Sequence, residues 1–368
     1  MDKTERSQSI EGRGVYFHLD VNLGPKEGKE HIKRAMSRLA ESHLNFVIPL
    51  ALDTKGGAYY PSTFRKTRLF PDWDPLRVTV DAAREVGLKI YPWFCIFPEG
   101  EGVLGGALEQ HPDWAMVDKQ GQPIGWADPA KLHVRAFEAE TIMEVVRDYP
   151  IDGVSLDYLR YPNTHDVCYC DFCCSEFRQL YGVDLKEVGQ GDSILSINTA
   201  SYLDFHTLYS RFAHPLLPRW ERWKEGNVTA FLKELREQVK AVRPELEISS
   251  YFWDIESAHT ACQDWPSWIR QGLLDWANPT LYVYDYRSIR RRCKEYLDVI
   301  DGACPTYATV GVHTSHGRIH SAEEVIEQVK VAREEGMDGV VFFTYGALEP
   351  YLDEVAEMLF PTKVALPR

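Results

Sequence analysis

The run Tyr149-Pro150-Ile151-Asp152-Gly153-Val154-Ser155-Leu156-Asp157-Tyr158-Leu159-Arg160-Tyr161-Pro162 decides how this chain is read. Residues 153–156 form a short buried strand that ends abruptly in charge, with Asp157 where the apolar run stops and Arg160 three residues later. A carboxylate at the C-terminal end of a parallel strand is where an α/β barrel keeps its chemistry. The same Asp could instead pair with Arg160 as structural glue, so the surrounding chain has to decide.

Outward from that strand, one unit repeats: a short β-branched or aromatic run, a polar loop, an amphipathic helix. Upstream, strands are expected over 14–20, 45–50 and 88–94, and helices over 29–44, 75–86 and 131–147. The first helix keeps Ile32, Met36, Leu39 and Ala40 on one face, and Gly87 closes the second. Downstream, strands are expected over 247–253, 276–284, 306–312 and 339–345, with helices over 266–274, 288–300, 322–335 and 352–360. Strict alternation means parallel strands joined by right-handed crossovers. Eight units predict a closed (β/α)8 TIM barrel, and no Gly-rich dinucleotide fingerprint follows the first strand. The whole chain, 1–368, reads as one catalytic domain. Two long loops lie where strands end, 98–128 and 163–246. Loops of that length are usually functional. The second carries helical patterns over 173–181, 202–219 and 228–242, and reads as a helical insertion subdomain between strands 4 and 5, a lid beside the catalytic face or a stabilising appendage.

Composition narrows the function. A net charge of −14 and a pI near 5.4 argue against nucleic acid or an anionic membrane as partner. No stretch approaches the roughly 18 apolar residues of a membrane span, and the polar N-terminus predicts a cytoplasmic protein, although a removed signal peptide would leave the same sequence. The oligomeric state is not readable. Ten Trp and nineteen Tyr suit an enzyme that stacks sugars, or simply a large core.

Acids and aromatics gather at the expected strand ends. Asp20, Asp53, Asp157, Asp254, Glu256 and Asp285 follow strands one, two, four, five and six. His313 and His316 follow strand seven, and Tyr345 closes strand eight. Strands four and five are neighbours in a barrel, so Asp157 with Glu256 or Asp254 would give two carboxyls several ångströms apart, as glycosidic cleavage needs: one protonates the leaving oxygen, the other attacks or activates water. Trp93, Trp126, Trp253, Tyr282 and Tyr345 can stack on sugar faces, while His18, Asp20, Arg160, Tyr282, Asp285 and His313 can meet hydroxyls. Cys168, Cys170, Cys173 and Cys174 crowd together, and closely spaced thiols can hold a structural zinc, with His165 as a further ligand; reduced thiols or a disulfide are the alternatives. No cofactor is required by the expected chemistry. Two rival readings are a metal-dependent hydrolase built on His18 and Asp20 with His313 and His316, and a non-catalytic carbohydrate-binding barrel.

The run His111-Pro112-Asp113-Trp114, then Gly121, then Asp128-Pro129, then a helix into residues 152–162, resembles the bacterial glycosyl-hydrolase-like barrels, a family-ten-like group of glycoside hydrolases. Segments 223–244 and 275–282 are similar to that family's helix before strand five and its sixth strand, so the likeness covers most of residues 14–350. It implies a TIM-barrel glycosidase acting on an oligosaccharide or glycoside. The fourth strand is also similar to the nucleophile strand of the α-amylase clan, which implies Asp157 as nucleophile and the strand-five acid as proton donor. The chain departs from that clan at Ser155, where the clan has Arg, and at His313-Thr314, where it has a His-Asp pair.

Overall fold

The computed structural model describes residues 10–19, 23–65, 72–100, 102–163, 166–188 and 216–367. Eight parallel strands close into a ring: β1 (Gly12–Phe17), β2 (Phe46–Leu52), β3, β4 (Gly153–Asp157), β5 (Glu247–Phe252), β6 (Trp276–Leu281), β7 (Tyr307–Gly311) and β8 (Gly339–Phe343). β3 comes in two pieces, Lys89–Ile90 and Trp93–Cys95, because Pro92 has no N–H for the ladder. β1 pairs with both β2 and β8, which completes the barrel expected from the alternation. The helices that follow the strands are α1 (Pro25–Glu41), α2 (Pro75–Glu85), α3 (Leu132–Asp148), α4 (Leu217–Val242), α5 (Trp265–Arg270), α6 (Tyr286–Ile300), α7 (Ala322–Glu335) and α8 (Leu352–Leu359). None of the described helices is long and apolar enough to cross a membrane.

A repeated device fixes the N-terminal end of the barrel. The residue just before each even strand accepts a backbone N–H from the odd strand beside it or from the residue leading into that strand. Asn45 Oδ1 takes Arg13 N at 2.8 Å, Asp152 Oδ2 takes Ile90 N at 3.0 Å, Asp275 Oδ2 takes Ile248 N at 2.8 Å, and Asp338 Oδ2 takes Thr306 N at 2.9 Å. Each of these donors would otherwise lose a partner at a partly buried strand end. Above these caps, Phe46, Tyr91, Trp276 and Tyr307 plug the floor, with ring centroids 5.1–5.7 Å apart. Close packing of strands explains Gly153. A Cβ there would stand 2.2 Å from the Glu247 carbonyl oxygen of β5 and 2.8 Å from the Tyr91 ring. Gly153→Ala is therefore expected to cost about 1–3 kcal/mol by overpacking. Urea unfolding checks this, and an unchanged midpoint would show that β4 and β5 can separate at no cost.

The segment between β4 and β5 divides differently from the expectation. The 26-residue helix α4 packs on α3, where Arg135 forms a bidentate ion pair with Glu234, and it delivers the chain to β5. It is the barrel's own crossover helix, so residues 217–246 leave the proposed insertion. Of the expected insertion helices, the first is present as Asp171–Tyr181, followed by a short turn of helix at Leu185–Val188. The expected helix at 202–219 lies largely outside the described residues.

Candidate active site

β4 carries Asp157 to the C-terminal mouth, in register with Cys95 of β3. Both carboxylate oxygens are held: Oδ2 accepts the Trp93 indole N–H at 3.1 Å, and Oδ1 accepts the Tyr158 backbone N–H at 2.6 Å. Tyr158 adopts a left-handed backbone, φ 54°, directly after the strand. Such a conformation is costly for a non-glycine residue and is tolerated mostly where the surroundings over-determine it, often at functional sites. Burial pushes the Asp157 carboxyl up to about 6, against the opposing pull of the Tyr158 N–H, the Arg160 charge and the Trp93 N–H.

The strands' inward parity builds an aromatic pit around this group. Tyr16 of β1, Trp93 of β3 and Phe343 of β8 meet edge to face, with centroids 5.0–5.9 Å apart. Tyr282, just beyond β6, packs on Phe343 at 5.7 Å and on Tyr251 of β5 at 5.9 Å. Gly311 at the end of β7 makes room for it, since a Cβ there would lie 2.5 Å from the Tyr282 ring. His18 leans on Trp93 and Phe343, and His316 on Tyr282. Desolvation lowers the His18 pKa, so its imidazole is neutral near pH 7. The phenols are oriented from below: Asn278 Nδ2 donates to the Tyr16 hydroxyl at 2.6 Å, Thr309 donates to Asn278 Oδ1, and Tyr251 donates to Thr280 at 2.9 Å. Burial raises the pKa of Tyr16, Tyr251 and Tyr282, so all three stay neutral.

One wall of the pit is a cation held among rings. The Arg160 guanidinium lies 4.2 Å from the Trp253 centroid, 4.7 Å from Tyr158 and 5.1 Å from Trp126, and donates to the Tyr161 carbonyl at 3.1 Å. Trp126 sits on the hairpin Ala115–Val117/Pro123–Ala127 in the long loop after β3.

The structure thus brings together Asp157, Trp93, His18, Tyr282, Arg160, Trp126 and Trp253. It places other expected residues elsewhere. Tyr251 sets odd positions of β5 inward, so Asp254 turns outward. There it pairs with Arg292 of α6 at 2.9 Å and caps the short helix Ile255–Thr260 through Ser257. Glu256 is exposed in the first turn of that helix. Asp285 is exposed and caps α6 through the Ser288 N–H. Tyr345 is buried in the helix layer against Phe17 and His31, and donates to Glu349 at 2.9 Å. His313 is exposed in a small hairpin paired with Arg318. Asp53 accepts the Gly57 and Lys55 N–H groups of its own loop. Asp20 lies outside the described residues, as does His165.

The cysteine cluster also changes membership. The thiols of Cys168, Cys170 and Cys173 gather with the Asp128 carboxylate, all four ligand atoms within 4.8 Å of one another. Cys174 is turned away and donates to the Tyr169 carbonyl at 3.4 Å. Cys170 caps the helix Asp171–Tyr181, which folds Cys173 back toward it and leaves Cys174 on another side of the first turn. This grouping does not include His18, His313 or His316.

Tyr16, Tyr158, Tyr251, Phe343 and Asp128 were not among the residues expected from sequence. Tyr16 and Tyr251 were findable, because each lies two positions from a residue that was selected, His18 and Trp253, on the same face of its strand.

A model of the family described as glycosyl hydrolase-like 10 matches residues 13–301, which bears out the resemblance read from the fourth-strand block. An S-layer-related protein of Niallia circulans is 27% identical over 203 residues, covering 49% of this chain and 12% of that protein. The glycosyl hydrolase YngK of Bacillus subtilis is 21% identical over 292 residues, covering 71% of this chain and 50% of that protein. The chain therefore spans half or less of the length of these relatives. Among solved structures, the PgaB (BpsB) glycoside hydrolase domain from Bordetella bronchiseptica superposes with a TM-score of 0.70 at 12% identity, over 95% of this chain and 99% of that one. At that identity the likeness shows the fold, a (β/α)8 barrel. Together the family match and the fold support a glycosidase-type function. With a family model spanning residues 13–301 and a closed barrel to match, the chain belongs to the glycosyl hydrolase-like 10 family.

Proposed function

We propose that this protein is a glycoside hydrolase in which Asp157 donates the proton to the leaving oxygen. The observation that carries the reading is a carboxyl at the C-terminal end of β4, held by two N–H donors at an aromatic pit and pushed up to about 6 by burial. A raised carboxyl pKa is what a general acid needs near neutral pH. A sugar ring would stack against Trp93 and Phe343 beside the tyrosine hydroxyls, which remain neutral and so do not compete for charge. As the bond between the anomeric carbon and the leaving oxygen breaks, the Asp157 proton passes to that oxygen. Water completes the reaction at the anomeric carbon, and its proton restores the acid. The α-amylase likeness would make Asp157 the nucleophile; the raised pKa favours the donor role instead.

The test is hydrolysis of a panel of oligosaccharides and alkyl glycosides, whose leaving groups need a proton, by the wild type beside Asp157→Asn. The expected result is turnover reduced about 10²–10⁴-fold in the variant. Undiminished turnover of these substrates removes Asp157 from the chemistry. A second reading, a carbohydrate-binding barrel, is favoured by the placement of Asp254 and Glu256 away from the pit. It predicts sugar binding by calorimetry in both proteins and turnover in neither.

For the wild type the acid must be protonated to act. The kcat/KM profile is therefore expected to fall as pH rises through the Asp157 pKa, about 6 in the free protein. A profile flat across pH 5–8 would contradict the donor role.

A further inference from the structure

We propose that Asp128, Cys168, Cys170 and Cys173 bind one zinc ion, which staples the loop after β3 to the segment after β4. The four come from two distant stretches of sequence and converge with their ligand atoms within 4.8 Å of one another. Asp128 Oδ2 is 3.1 Å from Cys173 Sγ and 3.5 Å from Cys170 Sγ. A tetrahedral zinc with Zn–S near 2.3 Å and Zn–O near 2.0–2.2 Å places its ligand atoms about 3.4–3.8 Å apart, so the cluster needs only small adjustments to close on an ion.

The surroundings are those of a ligand set. Asp128 has its other oxygen, Oδ1, occupied by the Ala130 N–H at 3.0 Å, which leaves Oδ2 to face the sulfurs. Two of the sulfurs receive backbone N–H groups: Val117 N to Cys168 at 3.3 Å and Cys173 N to Cys170 at 3.5 Å. Such outer contacts orient metal ligands and support thiolate charge. Lys131, three residues after Asp128, sets a positive charge close enough to act on all four groups. Asp128, Cys168 and Cys173 are buried and Cys170 is half-buried. Four protein ligands of this kind, three of them thiolates, describe a closed structural site rather than a catalytic one with an open position.

The site's place in the fold gives it a consequence. Asp128 is two residues from Trp126, whose ring covers Arg160, and Cys168 is eight residues beyond Arg160. The ion would hold the wall of the pit together, and this holds whether or not the pit hydrolyses sugars.

The experiment uses the full chain, produced with zinc in the medium and purified under reducing conditions. Metal is released by denaturation and counted with a chromogenic chelator and by elemental analysis. The expected result is one zinc per chain, retained in Cys174→Ser and lost in Cys170→Ser and Asp128→Asn. Because those last two variants could fail to fold, a second measurement is made on the wild type. Cobalt(II) loaded in place of zinc should give the intense visible absorption of a tetrahedral ion together with thiolate charge-transfer bands in the near ultraviolet. Metal-free protein with no cobalt–thiolate bands would overturn the proposal, as would a disulfide among these cysteines found by mass analysis of protein isolated without reductant. Loss of metal in Cys174→Ser equal to that in Cys170→Ser would overturn the assignment of Asp128 as the fourth ligand.

Discussion

Asp157→Asn is expected to slow the cleavage of glycosides whose leaving group needs a proton and at the same time raise stability at neutral pH. Burial lifts this carboxyl from 3.8 in the free side chain to about 6, net of what Arg160, Trp93 and the Tyr158 N–H give back. The folded protein therefore holds a proton that the unfolded chain releases between about pH 4 and pH 6. Stability falls as pH rises through that window, and the full penalty is present above it. At 1.36 kcal/mol per pKa unit this is of order 2–3 kcal/mol at most. Asn carries no charge and keeps one acceptor oxygen for the surrounding N–H groups. The variant should melt above the wild type at pH 7–8, with the difference closing as pH falls toward 4. Thermal unfolding of the pair across pH 4–8 checks this. A variant less stable than the wild type at pH 8 would mean that the hydrogen bonds, not burial, dominate at this position. Opposed effects on activity and stability are common where an ionisable group is held partly buried for its chemistry.

The second large effect is expected at Arg65, away from the pit. Its guanidinium, 1% exposed, bridges Glu99 in the loop after β3 and Glu138 on α3, both also buried, and Nε donates to Thr141 at 3.1 Å. The same cation lies 4.6 Å from the Phe137 ring. Glu99 in turn accepts the Ala107 N–H at 2.9 Å, so the triad fixes the loops after β2 and β3 to the helix layer. Arg65→Met would leave two buried carboxyls without their cation, a change that typically costs about 3–5 kcal/mol. Burial, followed by the field of Glu99, already raises the Glu138 pKa even with Arg65 present. Without the arginine Glu138 should protonate readily, so the loss is expected to be largest above pH 7 and to shrink under acid conditions. Arg65→Lys should fall between the two, since one ammonium cannot span both carboxylates as a guanidinium fork does. Urea unfolding at pH 8 and pH 5 measures all three proteins. A cost below 1 kcal/mol at pH 8 would show that water reaches the triad.

Most of the barrel was legible because each strand is a compact apolar run following a polar residue that ends the preceding loop. Asp152, Asp275 and Asp338 mark three such starts, and the structure shows that they work as caps for neighbouring strands. The fourth-strand block located Asp157 at a strand end for the same reason. The strand-five acids were expected at the mouth because they follow the strand, and position after a strand does not say which way a side chain points. Once Tyr251 is inward, Asp254 must face the helices. The extent of the insertion was misread because α4 has the same amphipathic pattern as a lid helix would. Only its packing on α3 shows which layer it belongs to. Asp128 could not be joined to the cysteines from spacing, since a loop and a whole helix–strand unit separate it from Cys168.

The most direct test of Asp157 as proton donor is the dependence of its variant on the leaving group. Wild type and Asp157→Asn are compared on paired glycosides of one sugar, one with a dinitrophenol leaving group that departs without help and one with an alcohol that needs a proton. The donor role predicts that the variant loses about 10²–10⁴-fold in kcat/KM on the alcohol glycoside and little on the dinitrophenyl one. Equal losses on both would contradict it and return Asp157 to the role of nucleophile.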